Sequence, residues 1–126
     1  MTGGLLLDSH VAVWLLEGRR VRQEVLDRVV DPSIAVWLSI VSPWELAIKQ
    51  GRGRLRLGED YLDLLLGQGV RLLTIEPAHT RAVRNLPDHH RDPFDRMLVA
   101  QAQVERLTLV TSDQQLAAYD VAVLAA

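Results

Sequence analysis

Short apolar runs alternate along the chain with stretches in which apolar residues recur at helical spacing. The runs predict buried strands at 5–7, 34–40, 70–75, 107–110 and 121–124. The spacing predicts helices at about 9–17, 20–30, 43–50, 59–66, 77–86 and 93–106, with a short helix after residue 112. Because strands and helices alternate throughout, we expect an α/β fold, a three-layer sandwich in which a central parallel sheet of about five strands is flanked by helices.

Two proline-containing segments mark predicted helix starts. Residues 42–45, Ser-Pro-Trp-Glu, predict a helix with the serine as N-cap and the glutamate closing a capping box. Residues 92–95, Asp-Pro-Phe-Asp, repeat the pattern with an aspartate cap. Ser9 and Ser112 are the N-caps predicted for the first helix and for the short helix near the C-terminal end.

The composition is that of one ordinary globular domain, expected to span residues 1–126. Hydrophobic residues make up 48% and charged residues 24% of the chain, which argues against disorder and fibrous repeats. No apolar run reaches the ~18 residues that a membrane span needs, and the N-terminal residues do not resemble an export signal. The absence of cysteine excludes disulfides and zinc-thiolate sites. We therefore expect a cytoplasmic protein with no membrane partner.

The net charge gives no general attraction to nucleic acid. Sixteen acids against 14 bases leave a charge of -2, so a polyanion would have to be bound by a local basic surface. The glycine-punctuated stretch 51–58 contains Arg52, Arg54 and Arg56. We interpret it as an exposed connection, with phosphate contact as the alternative. Arg96 is a candidate partner for a carboxylate.

Four acids lie at predicted strand ends or helix starts, where ligands bind in parallel sheets: Asp8, Glu45, Asp95 and Asp113. At about 6 Å separation, each ionised pair would repel by about 3 kcal/mol at an effective dielectric near 20. A convergent cluster would therefore need cations or protons. Carboxylate ligands without cysteine favour Mg²⁺ or Mn²⁺, which can polarise a phosphodiester and activate water. The pattern predicts metal-assisted phosphodiester hydrolysis.

Each acid also has a purely structural explanation. Glu45 and Asp95 each lie three residues after a predicted N-cap, where a carboxylate can satisfy helix-terminal amides. Asp113 could favour a helix start, whereas Asp8 is harder to explain because it follows a buried strand and would be desolvated without a partner.

The histidines are weaker candidates than the acids. His89 and His90 are adjacent and lack the i, i+4 spacing of a helical metal pair. We interpret them as solvated or hydrogen-bonding residues, and we place His10 at the border of the site.

Four segments resemble the motifs of a known family, and they follow one another along the chain in the order expected for that family. They are 5–10 (Leu-Leu-Leu-Asp-Ser-His), 42–49 (Ser-Pro-Trp-Glu-Leu-Ala-Ile-Lys), 89–102 (His-His-Arg-Asp-Pro-Phe-Asp-Arg-Met-Leu-Val-Ala-Gln-Ala) and 107–113 (Leu-Thr-Leu-Val-Thr-Ser-Asp). Together they resemble PIN-domain toxins of the VapC type over nearly the whole chain. The third segment is the most specific.

The resemblance implies a PIN fold and a Mg²⁺- or Mn²⁺-dependent endoribonuclease that arrests translation. The catalytic and metal-binding acids of the family match Asp8, Glu45, Asp95 and Asp113. No acid of the motif is missing, which is typical of an active enzyme.

The resemblance also implies supporting residues and partners. Ser9 takes the place of the hydroxyl residue beside the first acid, and Thr111 matches the threonine before the last acid. The expected partners are an RNA substrate, a small antitoxin that covers the acidic groove, and a second copy of the chain in a homodimer. The apolar helices at 11–16, 21–30 and 61–66 are candidate partner surfaces, with ordinary core packing as the alternative.

Two other functions are compatible with the same acids. The domain could be a noncatalytic PIN-like module that binds a basic partner through its acidic groove. It could also be a phosphoryl-transferring enzyme with Asp8 as nucleophile, although no second acid follows two residues later. We rank that third function last.

Overall fold

The computed structural model describes residues 3–19 and 21–126. The strands are β1 (Leu5–Leu7), β2 (Val36–Ser39), β3 (Arg71–Leu73), β4 (Thr108–Thr111) and β5 (Val123–Ala125). The helices are α1 (Ser9–Glu17), α2 (Gln23–Val29), α3 (Val41–Gly51), α4 (Tyr61–Gly67), α5 (Pro77–Arg84) and α6 (Pro93–Glu105), with a 3-10 helix at Gln114–Ala118.

The five strands form one parallel sheet in the order β3-β2-β1-β4-β5. Strand β1 is central, and its last residue, Leu7, pairs with Leu38 on one side and Val110 on the other. The strand order reverses direction at β1, which makes the carboxyl edge beside β1 and β4 a topological switch point. The residues that follow these strands are thereby brought to one edge of the sheet.

Helices cover both faces of the sheet, as the alternation of strands and helices predicted. Leu5 and Leu7 point to one face and pack with Val11, Val25 and Leu65 of α1, α2 and α4. Leu6 points to the other face and belongs to a second core with α6 and the 3-10 helix. A fully buried Leu side chain contributes about 1.5–3 kcal/mol, so β1, whose three leucines are all buried, anchors both layers.

One helix start follows the sequence prediction and two caps differ from it. Asp92 caps α6, and its Oδ1 accepts hydrogen bonds from the amides of Phe94 and Asp95. The N-cap of α1 is Asp8 rather than Ser9, and the N-cap of the 3-10 helix is Asp113 rather than Ser112. In both cases the aspartate that follows a strand takes the cap, because its carboxylate reaches the free amides of the next turn.

The predicted capping box at the start of α3 is wrong. The helix begins at Val41, and no side chain caps it from Ile40. Ser42 lies inside the first turn and is fully buried, where its hydroxyl contacts Ser9 instead of a helix amide. A proline is tolerated at the third helical position because that amide has no intrahelical partner.

Element boundaries are shorter than predicted in several places. The predicted strands at 34–40 and 70–75 shrink to four and three residues, and the helix predicted from 59 begins at Tyr61. The predicted helix 20–30 becomes Gln23–Val29, and its first residue, Arg20, lies outside the described residues. Within the described part of the chain, no helix combines the length and the apolar character needed to cross a membrane.

The core predicts a sharp contrast between two leucines. Leu98 of α6 is 0% exposed, whereas Leu64 of α4 is 49% exposed. We expect Leu98→Ala to lower the free energy of unfolding by about 2–5 kcal/mol, because it leaves a cavity in the second core. The matched substitution Leu64→Ala should cost far less, and urea unfolding measures both. Equal losses would contradict this description of the core.

Candidate active site

Asp8 is a buried carboxylate that three groups hold in place. The residue is 5% exposed, so the charge would be costly without hydrogen bonds. Oδ1 accepts from the amides of His10 (2.7 Å) and Val11 (3.3 Å) at the start of α1, and Oδ2 accepts from Thr111 Oγ1 at 2.6 Å. The helix N-terminus further favours the negative charge. Asp8 therefore faces the site in a fixed orientation.

Glu45 enters from α3 and is equally buried, at 6% exposed. The Ser9 hydroxyl oxygen lies 2.7 Å from Glu45 Oε1 and 2.8 Å from the Ser42 hydroxyl. Since a hydroxyl has one hydrogen, Ser9 donates to the carboxylate and accepts from Ser42. Lys49 Nζ lies 3.2 Å from Glu45 Oε2. Ser9 and Lys49 therefore hold the carboxylate of Glu45, which does not cap the start of α3.

Asp95 and Asp113 meet across the imidazole of His90. His90 Nε2 lies 2.9 Å from Asp113 Oδ2 and 3.5 Å from Asp95 Oδ2. Within residues 3–19 and 21–126, one ligand atom from each of these three side chains falls within 4.8 Å of the others, close enough to surround a metal ion. This group lies where α6 and the 3-10 helix begin.

Thr111 links Asp8 to Asp113. Its hydroxyl donates to Asp8 Oδ2 and accepts from the backbone amide of Asp113 at 3.0 Å. The hydroxyl therefore connects the carboxylate of Asp8 directly to the backbone of Asp113. Thr111 and Ser9, both named from the sequence, therefore each contact a site acid directly.

The electrostatics place Asp95 inside the field of the other acids. The pKa of Asp95 is raised from 3.8 to about 7, first by burial and then by the negative charges of Asp92, Asp8 and Glu45, while His90 acts in the opposite direction. Such interactions require proximity. The four acids named from the sequence therefore form one cluster, in which Asp113 is joined to Asp95 through His90 and to Asp8 through Thr111.

A basic wall borders this cluster. A cleft of about 230 Å³ is lined by the acids Glu45 and Asp95 together with three basic residues, Lys49, Arg52 and Arg54, which we call the basic wall. In the described part of the chain, Arg52 and Arg54 form no ion pair. These guanidinium groups are available to bind an anion near the acids.

Two other arginines named from the sequence, Arg56 and Arg96, do not line this cleft. Arg56 is exposed. Arg96 forms the expected pair with a carboxylate only at long range, and it also donates to the carbonyls of Pro87 and His90 and to the hydroxyl of Tyr119. Its nearest carboxylate is the exposed Asp88, at 3.9 Å. Arg96 therefore fixes the loop before α6.

His90 is the site residue that sequence reasoning underrated. It forms the hydrogen bonds expected of it, but to site acids rather than to a distant structural partner. The signal for its position is the helix cap two residues later, because the backbone amide of Asp92 donates to His90 Nδ1 at 3.0 Å and so fixes the ring beside the cluster. His10 lies at the border of the site as expected, with Nε2 3.2 Å from Lys49 Nζ.

The donor set fits a hard divalent cation. The acids supply carboxylate oxygens, the ligands that Mg²⁺ and Mn²⁺ prefer. Burial and the negative charges of the neighbouring acids both raise the pKa of Asp95, and a nearby cation would counter both by stabilising its ionised form.

Comparison with known proteins agrees with this geometry. Residues 5–122 match the family model of the PIN domain. The chain belongs to the PIN domain family. It is 30% identical over 115 residues to ribonuclease VapC22 of Mycobacterium tuberculosis, an alignment that covers 89% of this chain and 88% of that protein. This PIN domain is therefore of the VapC type.

Solved structures of the same fold come from toxin-antitoxin complexes. VapBC2 from Rickettsia felis, bound to a DNA fragment from its promoter, gives a TM-score of 0.77 at 15% identity, covering 98% of each chain. A toxin-antitoxin complex from Klebsiella pneumoniae gives 0.68 at 20% identity, covering 96% of each chain. At these identities the likeness establishes the fold.

The raised pKa of Asp95 predicts a pH-dependent stability. Between its ordinary pKa and about 7, only the folded state binds the extra proton, so this group makes stability fall as pH rises through that range. Without divalent cations, Asp95→Asn should be more stable than the parent at pH 8 by at least about 1 kcal/mol. The difference should vanish near pH 4.

Urea unfolding at the two pH values measures this effect. The exposed acid Asp63 of α4 provides the control, because Asp63→Asn should change stability little at either pH. A stability gain for Asp95→Asn that does not depend on pH would contradict the shifted pKa.

Proposed function

We propose that this PIN domain is a metal-dependent endoribonuclease and the toxin of a toxin-antitoxin pair. The observation that carries the proposal is the cluster of four acids, one of which, Asp95, has its pKa raised to about 7. The relative named as a ribonuclease supports RNA as the substrate. We propose Mg²⁺ or Mn²⁺ as the cofactor.

Asp8, Asp95 and Asp113 would hold the metal ion. When bound, the ion supplies positive charge that polarises a phosphodiester and lowers the pKa of water. Asp8 is prepared for this role by the amides of α1 and by Thr111, which fix its orientation before any ion arrives. The cost of bringing the acids together is met during folding.

Glu45 would position the attacking water or a second ion. Ser9 donates to Oε1 and Lys49 approaches Oε2, so both oxygens of the carboxylate are oriented. In this role Glu45 would accept a hydrogen bond from the water that attacks the phosphate. Because water is the nucleophile, the products should carry 3′-hydroxyl and 5′-phosphate ends.

The basic wall would hold the phosphates that flank the cut. Arg52 and Arg54 share the cleft with Glu45 and Asp95, so an RNA backbone could reach the acids while contacting both guanidinium groups. Arginine binds phosphate with two parallel hydrogen bonds. Local cations of this kind compensate for a net charge of -2.

We also propose a small antitoxin as partner, a homodimer as the assembly, and translation arrest as the outcome. Similar folds occur in solved toxin-antitoxin complexes, which supports the antitoxin.

Several large apolar side chains are exposed to solvent. Trp44 is 58% exposed and packs edge to face on Phe94 beside the cleft. Ile40, one turn earlier, and Ile75 are also exposed. Exposed apolar residues of this kind support a protein interface.

The first test is RNA cleavage by the purified chain. We expect cleavage with Mg²⁺ or Mn²⁺, none with EDTA, and a loss of at least about 100-fold in Asp8→Asn and Asp95→Asn, since each removes charge from the metal site. Asp63→Asn, which changes an exposed acid of α4, should keep full activity. Full activity of the Asp8 or Asp95 variant would refute the assignment. A chain that binds a basic partner without metal and cuts no RNA would be the noncatalytic module.

The second test concerns the basic wall. Binding of a single-stranded RNA should be measured in EDTA over a range of salt concentrations. Each phosphate contact contributes a slope of about 0.7 in log affinity against log salt for single strands. The double variant Arg52→Gln, Arg54→Gln should therefore reduce the slope by about 1.4. Arg81→Gln, on the exposed face of α5, is the matched control. An unchanged slope in the double variant would exclude the wall from RNA binding.

A further inference from the structure

His90 reaches the acidic cluster from the loop that precedes α6. Its Nε2 lies 2.9 Å from Asp113 Oδ2, the shorter of its two contacts with carboxylates. Its other ring nitrogen, Nδ1, lies 3.0 Å from the backbone amide nitrogen of Asp92. Both ring nitrogens are therefore engaged, each by a group of fixed hydrogen-bonding character.

The contact with Asp92 fixes the tautomer of the ring. A backbone amide can only donate, so Nδ1 must accept and carries no hydrogen. In the neutral imidazole the hydrogen then resides on Nε2. This hydrogen points to Asp113 Oδ2, which accepts it.

The same tautomer is incompatible with metal ligation through Nε2. A ligating nitrogen needs a free lone pair, and a neutral histidine that ligates through Nε2 carries its hydrogen on Nδ1. That hydrogen would face the Asp92 amide hydrogen between two nitrogens only 3.0 Å apart. Proximity to Asp95 and Asp113 thus suggests a ligand, whereas the hydrogen bonds indicate a donor.

The loop that carries His90 is held in this position. The His90 amide donates to the hydroxyl of Tyr119 at 2.8 Å, and the His90 carbonyl accepts from Arg96 at 3.3 Å. Arg96 also contacts the Tyr119 hydroxyl and the carbonyl of Pro87. The ring could not turn to offer Nε2 to a metal unless its hydrogen bond with Asp92 were broken.

We propose that His90 is a positioning residue that orients Asp113 for metal binding by donating from Nε2, and that it is not itself a ligand. This role rests on the proposed function. Asp113 Oδ1 accepts from the amide of Gln115 at 3.0 Å, so His90 and Gln115 between them fix both carboxylate oxygens. Each oxygen keeps a further lone pair for a cation.

Two substitutions separate the two hydrogen bonds of the ring. In His90→Asn the side-chain oxygen can accept from the Asp92 amide in an Asx turn, but nothing reaches Asp113. In His90→Gln the longer amide can donate to Asp113, while the bond with Asp92 is lost. The pair therefore distinguishes the orientation of Asp113 from simple support of the loop.

The measurement is Mn²⁺ affinity by calorimetry, without RNA. Loss of a group that orients a ligand lowers metal affinity by about 10–100-fold, which we expect for His90→Asn. His90→Gln should recover most of that affinity. Parent-like affinity in the Asn variant, or equal weakness of both variants, would overturn the proposal.

A spectroscopic measurement on the unmodified protein is independent of any variant. Two-bond ¹⁵N–¹H correlations of the imidazole rings should show the Nε2–H tautomer for His90, both without metal and with saturating Mg²⁺. His79 is an internal reference, because its Nδ1 also accepts from a backbone amide, that of Glu76, at 2.9 Å. Loss of the Nε2 hydrogen of His90 on adding Mg²⁺ would identify it as a ligand and refute the proposal.

The proposed function is judged by a different experiment. A chain that cuts no RNA with Mg²⁺ or Mn²⁺ would refute the nuclease, whereas the tautomer and the Mn²⁺ affinities would still decide the role of His90.

Discussion

The burial of several carboxylates close together, with the desolvation and mutual repulsion that this brings, is the constraint on which the rest of this site depends. Asp8 and Glu45 are nearly inaccessible to solvent, and Asp95 lies in the field of both. Water cannot screen such charges, so the protein must hold each acid with donors or leave it protonated. Asp8 has helix amides and a threonine hydroxyl, Glu45 has a serine and a lysine, and Asp95 is left with a raised pKa. The incomplete compensation is the physical basis for a cation site.

The parallel sheet explains how residues far apart in sequence reach one place. Strands β1 and β4 are neighbours in register, so the residues after Leu7 and Val110 emerge side by side. Thr111 then bonds to Asp8 across 103 positions of the chain. The helices that follow these strands donate backbone amides to Asp8 and Asp113. Asp92 caps α6 and accepts from the amide of Asp95, which lies at the same edge of the sheet.

Much of the fold and of the acid cluster could be predicted because the signals are local. A leucine run followed by aspartate indicates both β1 and Asp8, and a cap followed by proline indicates α6. The start of α3 could not be predicted, because Ser42 is drawn into contact with Ser9, 33 positions away, and a local capping rule does not include that contact. His90 was underrated for the same reason, since its partner Asp113 lies 23 positions further along. Both of these errors therefore arise where distant segments meet at the site.

The central claim is that the converging acids form a site for a divalent cation. Anomalous diffraction from crystals of the protein soaked in Mn²⁺ tests it most directly, because the signal locates the metal without assuming ligands. We expect an anomalous peak within coordination distance of carboxylate oxygens of Asp8, Asp95 and Asp113. Manganese bound only elsewhere on the surface, with these carboxylates uncoordinated at saturating Mn²⁺, would contradict it.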